Sequence, residues 1–353
     1  MDTLIIAELG TSHGADRGKA RELVDAAAEA GADCVKFQIV YADEILHPNT
    51  GEVALPGGLI RLYDVFKRLE TGPEFFAELK DYAESRGLRF LCTPFGPRSA
   101  AELLALRPWA LKIASPELNY GELLALAAAS GLPVYLSTGV STLGDIEQAL
   151  AHFDRDKARL LHCVTAYPAP EEDYNLNLIP NLGAIFGTAV GVSDHSLDPE
   201  LVPALAAALG APAVEKHFCL SRHDPGLDDP IALPPPDFAR MVRAIREASR
   251  RGRDETIGIF RRDRGAARVN GVLGDGVKHL APAEAANYGR TNRSLHALRD
   301  IHPGETIGAA MAGVLRTEKL LRPGLPPSWK ERIIGRTARA FIPAGEGIRF
   351  EDL

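Results

Sequence analysis

The chain has 353 residues, 46% of them hydrophobic, and a formal net charge of −7. That length and apolar content suffice for one large core with residues left for a small second domain, while the interleaving of Lys and Arg with acids excludes the electrostatic footprint of a nucleic-acid partner. The apolar run Leu4 to Ala7 is far too short for a membrane span or a signal segment, so a cytoplasmic protein with no membrane partner is expected.

From the start to about residue 250, short β-like runs alternate with longer Ala/Leu-rich stretches of helical period. The strands are predicted at 3–7, 33–38, 88–92, 110–114, 133–137, 158–163, 189–193 and 213–218. Helices are predicted near 17–30, 73–86, 97–106, 119–130, 142–153, 176–186, 199–209 and 236–250, many led by cap or turn residues such as Asp16, Asn119 and Ser141-Thr142. Eight such pairs predict a (β/α)8 TIM barrel over 1–250. The first strand-to-helix turn, Glu8 to Gly14, lacks the three-glycine fingerprint of an open dinucleotide-binding sheet. Residues 251–290 mix Arg, Asp and Gly without an apolar period and read as a linker. After it, 291–353 reads as a small β-rich domain. It has strand-like stretches at Ser294-Leu295-His296-Ala297 and at 336–341, each followed by a similar Pro- and Gly-containing turn. Cys34, Cys92, Cys163 and Cys219 lie far apart in apolar segments with no Cys-x-x-Cys pair, which predicts reduced core thiols.

In such a barrel the C-terminal strand ends build the active site, and here every predicted end is polar. In order they offer Glu8; Lys36 and Gln38; Thr93; Lys112, Ser115 and Glu117; Ser137 and Thr138; His162, Thr165 and Tyr167; Ser193 and His195; and Glu215, Lys216 and His217. Lys36 and Lys112, each among hydroxyls or amides, suit a phosphate or carboxylate. His195 and His217, on adjacent strands seven and eight, could share a divalent metal that polarises a carbonyl. His13 and His162 rank below them as ligands, because no partners are evident. Glu8, Glu117, Glu215 and Asp228 are the carboxylates near the mouth, any of them a candidate acid, base or hydroxyl acceptor.

These segments resemble the sialic acid synthase family, the phosphoenolpyruvate-dependent synthases of N-acetylneuraminate and related nonulosonic acids. The resemblance runs through Ile6-Ala7-Glu8-Leu9-Gly10, Val35-Lys36-Phe37-Gln38, Cys92-Thr93-Pro94-Phe95, Lys112-Ile113-Ala114-Ser115-Pro116-Glu117, Leu136-Ser137-Thr138-Gly139, Tyr167-Pro168, Gly191-Val192-Ser193-Asp194-His195 and Glu215-Lys216-His217-Phe218. It implies that Lys36, Thr93, Lys112, Ser115, Ser137 and Ser193 hold phosphoenolpyruvate. It also implies that His195 and His217 bind a divalent ion, manganese or magnesium, and that Gln38, Tyr167, Asp228, Glu8 and Glu215 face an amino sugar such as N-acetylmannosamine, with Glu8 the leading acid/base. The C-terminal domain is then an antifreeze-like (SAF) module that reaches the other subunit of a domain-swapped homodimer and contributes an arginine, for which Arg322 in Arg322-Pro323-Gly324 is the nearest match.

The sequence departs from the family pattern chiefly on the sugar side. Thr165 stands where some members have Asn, Gly226-Leu227-Asp228-Asp229 replaces Gly-Pro-Asp-His, Leu325-Pro326-Pro327 follows the Arg-Pro-Gly run, and Gly57-Gly58 follow Pro56 where a sugar-contacting Asn is expected. Two other readings stay open at this point: a barrel synthase or aldolase acting on a different aldose, and a non-catalytic sugar-binding paralogue.

Overall fold

A computed structural model of the chain describes residues 2–55, 58–318 and 320–353; Pro56 and Gly57, beside the missing Asn, lie outside them. The eight parallel strands are β1 (Leu4–Gly10), β2 (Cys34–Ile39), β3 (Arg89–Pro94), β4 (Leu111–Ile113), β5 (Val134–Ser137), β6 (Ala158–Cys163), β7 (Ala189–Asp194) and β8 (Ala213–His217). They are hydrogen-bonded in the order β3-β2-β1-β8-β7-β6-β5-β4, and β3 packs beside β4 to close the barrel. All eight strands and their helices fall where the alternation predicts them.

Strand periodicity explains the packing. In β1, Ile5, Ala7 and Leu9 point outward into the main core against the helices, while Ile6 points inward. Ile6 meets Cys34, Leu91, Ala110, Tyr135, Leu161 and Ala213 in an apolar plug that fills the barrel bottom. Helix starts follow capping chemistry: Asp16 accepts from Lys19 N ahead of Arg17–Glu29, and Thr142 with Asp145 forms a capping box ahead of Leu143–Leu150. The four cysteines are buried and free. No helix among the described residues is long and apolar enough to cross a membrane.

The stretch expected to be an irregular linker instead begins with two helices, Arg253–Arg264 and Ala266–Leu273. Their apolar face is narrow, and their arginines are spent on the barrel: Arg264 pairs with Glu200 and Asp198, and Arg268 with Glu171 and Asp198. A helix held partly by ion pairs leaves a weak hydrophobic period. From Gly274 to Asn292 the chain then runs across the mouth of its own barrel. In the C-terminal domain β9 (Ser294–Ala297) pairs antiparallel with β10 (Ala312–Leu315). The second expected strand, 336–341, makes only an isolated bridge, Thr337 to Thr306.

One side chain fastens this domain down. Arg293 is 1% exposed; its Nε donates to Glu117 Oε1 at 2.9 Å, its Nη2 to Phe95 O at 2.7 Å and its Nη1 to Val314 O at 3.3 Å. It thus joins two barrel loops to β10. Replacing it by Ala takes the guanidinium from the Phe95 and Val314 carbonyls and leaves Glu117 with Arg316 alone, and the Arg293→Ala chain should lose about 3–5 kcal/mol in equilibrium denaturation. An unchanged midpoint would show that the domain docks without it.

Candidate active site

The barrel interior is layered with the two-residue period of its strands. Two residues above the plug, about 7 Å up the axis, Ile6 gives way to Glu8, Cys34 to Lys36, Leu91 to Thr93, Ala110 to Lys112, Tyr135 to Ser137 and Ala213 to Glu215, all buried. The next step up carries Gln38, Phe95, Ala114, Thr165, His195 and His217. These residues line one cavity of about 410 Å³ together with Ser115, Tyr167, Ser193 and Asp228.

The floor is a lattice of opposite charges. Lys36 Nζ lies 2.7 Å from Glu8 Oε2 and 3.9 Å from Glu215 Oε2, and donates to Thr93 Oγ1 at 3.2 Å. Lys112 Nζ donates to Ser137 Oγ at 2.7 Å and lies 4.0 Å from Glu215 Oε1. Ser193 Oγ donates to Glu215 Oε1 at 2.9 Å, and Gln38 Nε2 to Glu8 Oε1 at 2.6 Å. Burial pulls the Lys36 ammonium down, but Glu215 and Glu8 together hold it above its ordinary value. Burial wins at Lys112, which sits below its ordinary value against the pull of Glu215. Glu215 is pushed up by burial and brought below the usual carboxylate range by Lys112 and Lys36. Two ammoniums and two carboxylates leave the floor near neutrality, while Glu215 Oε2 and, above it, Thr165 Oγ1 have no hydrogen-bond partner.

The histidines flank this floor. Their ring centroids are 5.6 Å apart, and Tyr167 stacks on His195 at 4.2 Å. His195 Nδ1 is 2.7 Å from the Val164 carbonyl and therefore carries the proton, which leaves Nε2 with its lone pair; His217 Nδ1 is 3.8 Å from Asp228 Oδ2. Burial lowers both pKa values, so both rings are neutral at pH 7, the form in which imidazole ligates a metal. Among the described residues no three His, Cys, Asp or Glu gather as a ready metal site, so this donor set suits an ion whose remaining positions go to water or substrate.

Four sequence candidates stand elsewhere. Glu117 is buried behind the cavity wall, where Oε1 accepts from Arg293 and from Arg316 Nε at 2.9 Å and Nη2 at 2.6 Å; two guanidiniums make it a counter-ion instead of an acid. Arg322 pairs with Asp352 and, through its backbone, with Glu346, and does not line the cavity. The arginine at the mouth is Arg316, over the Phe95 ring at 5.3 Å and beside Glu318. His13 packs on Phe37 and Phe75, and His162 is buried against Tyr174, both away from the cavity; burial lowers each pKa to about 4. The sequence reading missed Arg316, Glu318, Asn287 and Thr291, all of which line the cavity. Arg316 directly follows β10, so the strand-end rule extended to the second domain finds it; Asn287 and Thr291 lie in the presumed linker and carry no such signal.

These placements separate the two arginines. Arg316→Ala should impair turnover at least tenfold and Arg322→Ala less than twofold, in steady-state kinetics at a temperature where both variants are folded; the reverse order would move the mouth to Arg322.

The NeuB family model matches residues 23–255 and the SAF domain model residues 292–353. The spore coat polysaccharide biosynthesis protein SpsE of Bacillus subtilis is 33% identical over 99% of this chain and 93% of its own, and its crystal structure superposes with a TM-score of 0.81, covering 99% of this chain and 95% of that one. The N,N'-diacetyllegionaminic acid synthase of Legionella pneumophila is 32% identical over 100% of this chain and 95% of its own. The N-acetylneuraminic acid synthetase of Leptospira borgpetersenii, solved in complex with citrate, has a TM-score of 0.66 at 31% identity, covering 81% of this chain and 90% of that one. With its layered barrel and its C-terminal SAF domain, the chain belongs to the NeuB family.

Proposed function

We propose that this chain condenses phosphoenolpyruvate with an N-acetylated amino sugar to give a nonulosonic acid and phosphate. The observation that carries the reading is the floor: two buried lysines and three hydroxyls, Thr93, Ser137 and Ser193, converge with Ser115 on one cavity beside two neutral histidines. Such a floor suits a small molecule bearing both carboxylate and phosphate. Glu8, held between Lys36 and Gln38, is the group placed to take or give a proton as C3 of phosphoenolpyruvate joins the sugar aldehyde carbon. Water then adds at C2 and phosphate leaves.

A polyanion entering a floor that is already neutral calls for further positive charge. His195 and His217 are the residues that would hold a divalent ion, manganese or magnesium. Bound there, such an ion polarises a carbonyl as a Lewis acid. The rest belongs to the chain: Lys36 and Lys112 fix the anion, Tyr167 covers His195, and Arg316 roofs the mouth.

The outer half of the cavity bears on the sugar. Val40, Ile45, Leu62, Phe66, Phe95 and Leu227 line it, and the one guanidinium there among the described residues, Arg316, is matched by Glu117 and Glu318. That wall favours an acceptor with acyl or methyl groups at its far end over one carrying a phosphate. With manganese present, phosphate release from phosphoenolpyruvate should therefore occur with N-acetylmannosamine or a diacetamido hexose, stop on chelation, and run at least tenfold slower in kcat/KM with the 6-phosphate. Silence across all three sugars would sink the synthase reading; preference for the 6-phosphate would sink only the account of the outer wall.

We further place the enzyme in the cytoplasm, as a homodimer that exchanges its SAF domains through these same barrel contacts. Light scattering on active protein checks the second point: a fully active monomer means that the domain roofs its own barrel, as it does within the single chain.

A further inference from the structure

The segment that crosses the mouth carries a buried carboxylate whose oxygens are bonded by backbone N–H groups. Glu284 is 0% exposed and forms no ion pair among the described residues; Lys278, on the same segment, donates to Thr138 O at 3.4 Å. Both Glu284 oxygens instead face backbone donors. Oε2 accepts from Val140 N at 2.9 Å and from Thr165 N at 2.7 Å, and Oε1 accepts from Ala281 N at 3.4 Å. A carboxylate buried without a direct ion pair is costly; Lys278 supplies positive charge nearby, and two charge-assisted bonds to adjacent strand-end loops are the direct contacts it gains.

Those loops carry the two halves of the site. Val140, at a left-handed φ of 41°, ends the turn that begins at Ser137, the partner of Lys112, and Gly139 N in the same turn donates to Ser115 Oγ at 3.0 Å. Thr165 opens the loop to Tyr167, on the sugar side. The loops touch at Gly139, where an added Cβ would stand 2.1 Å from Thr165 Oγ1. Below this point Thr138 N and Oγ1 tie the two strands through Leu161 O; above it, Glu284 is bonded to both loops.

We propose that Glu284 is a positioning residue: by accepting from Val140 N and Thr165 N it sets the β5 loop against the β6 loop, and so fixes the Ser115–Ser137 side of the anion site relative to the acceptor side. The segment 278–292 is thereby part of the synthase machinery. The identity of the ligand in this inference rests on the synthase reading.

The test uses the full chain with Glu284→Ala and Glu284→Gln, at a temperature where circular dichroism shows all three proteins folded. Calorimetry with phosphoenolpyruvate and manganese gives Kd, and phosphate release gives KM and kcat. The Ala variant should raise Kd and KM for phosphoenolpyruvate at least tenfold. The Gln variant keeps an oxygen for both N–H groups and should stay within threefold of the parent. A purely scaffolding role would lower the Tm of the Ala variant and leave Kd and KM unchanged in the folded protein, which overturns the proposal. If the parent binds phosphoenolpyruvate but releases no phosphate with any sugar, the synthase reading fails while the Kd comparison still decides the positioning role. A parent that does not bind phosphoenolpyruvate overturns both.

Discussion

The architecture of the mouth depends on one carboxylate shared by two guanidiniums. Glu117 ends the strand β4 side of the barrel, while Arg293 and Arg316 come from either flank of the β9–β10 pair. Two cations around one anion, all largely removed from water, leave a surplus positive charge that needs further acceptors. Arg293 finds them in carbonyls of the loops after β2 and β3, and Arg316 in Glu318. The second domain is therefore bound to several strand-end loops at once, and those loops are the ones that carry the apolar wall of the cavity. A shift of the domain is a shift of that wall.

Beneath it, the floor obeys a different constraint. Lys36 and Lys112 can stay charged so deep in the barrel only because Glu8 and Glu215 are there, yet the same carboxylates cancel the attraction the lysines would offer to an anion. What remains is directional: the hydroxyls of Thr93, Ser137 and Ser193 and the ammonium hydrogens, already oriented by one another. Recognition by pre-oriented donors is selective for shape where recognition by net charge is not. On the proposed reading, positive charge added near His195 and His217 would then govern how tightly a polyanion is held.

Much of this was legible in the sequence, for a geometric reason. A residue two positions beyond a plug residue must point into the same barrel, so once the apolar runs are found, Glu8, Lys36, Thr93, Lys112, Ser137, Ser193 and Glu215 follow from register alone. Register fails where the chain leaves the strands. Glu117 lies beyond β4 in a 3-10 turn, Ser115–Glu117, and that turn aims it behind the wall. Arg322 was chosen for its Pro-Gly neighbours, but those serve backbone packing: an added Cβ on Gly324 would stand 1.9 Å from Leu295 O. Arg316 has no such flag, because its task is defined by Glu117 and Phe95, distant in sequence. The helices at 253–273 were hidden for another reason: their apolar contacts are few, chiefly Ile257, Val269, Val272 and Leu273, and they are supplemented by ion pairs to the barrel, which hydrophobic periodicity does not record.

Two of the departures from the family pattern, Leu227 and Thr165, lie on the upper part of the cavity. Leu227 joins the apolar wall, and Thr165 stands against Gly139 with its hydroxyl unpartnered. Both lie in the layer above the floor or beyond it, and neither is bonded to Lys36, Lys112, Glu8 or Glu215. A barrel built in layers allows this separation, since each layer draws on different positions of the same strands. The floor can stay as it is while the upper layer and the domain that roofs it change, so the floor and the outer half of the cavity are free to vary independently. Only a group that spans both halves limits that freedom, and Glu284, bonded to the loop of each, is such a group.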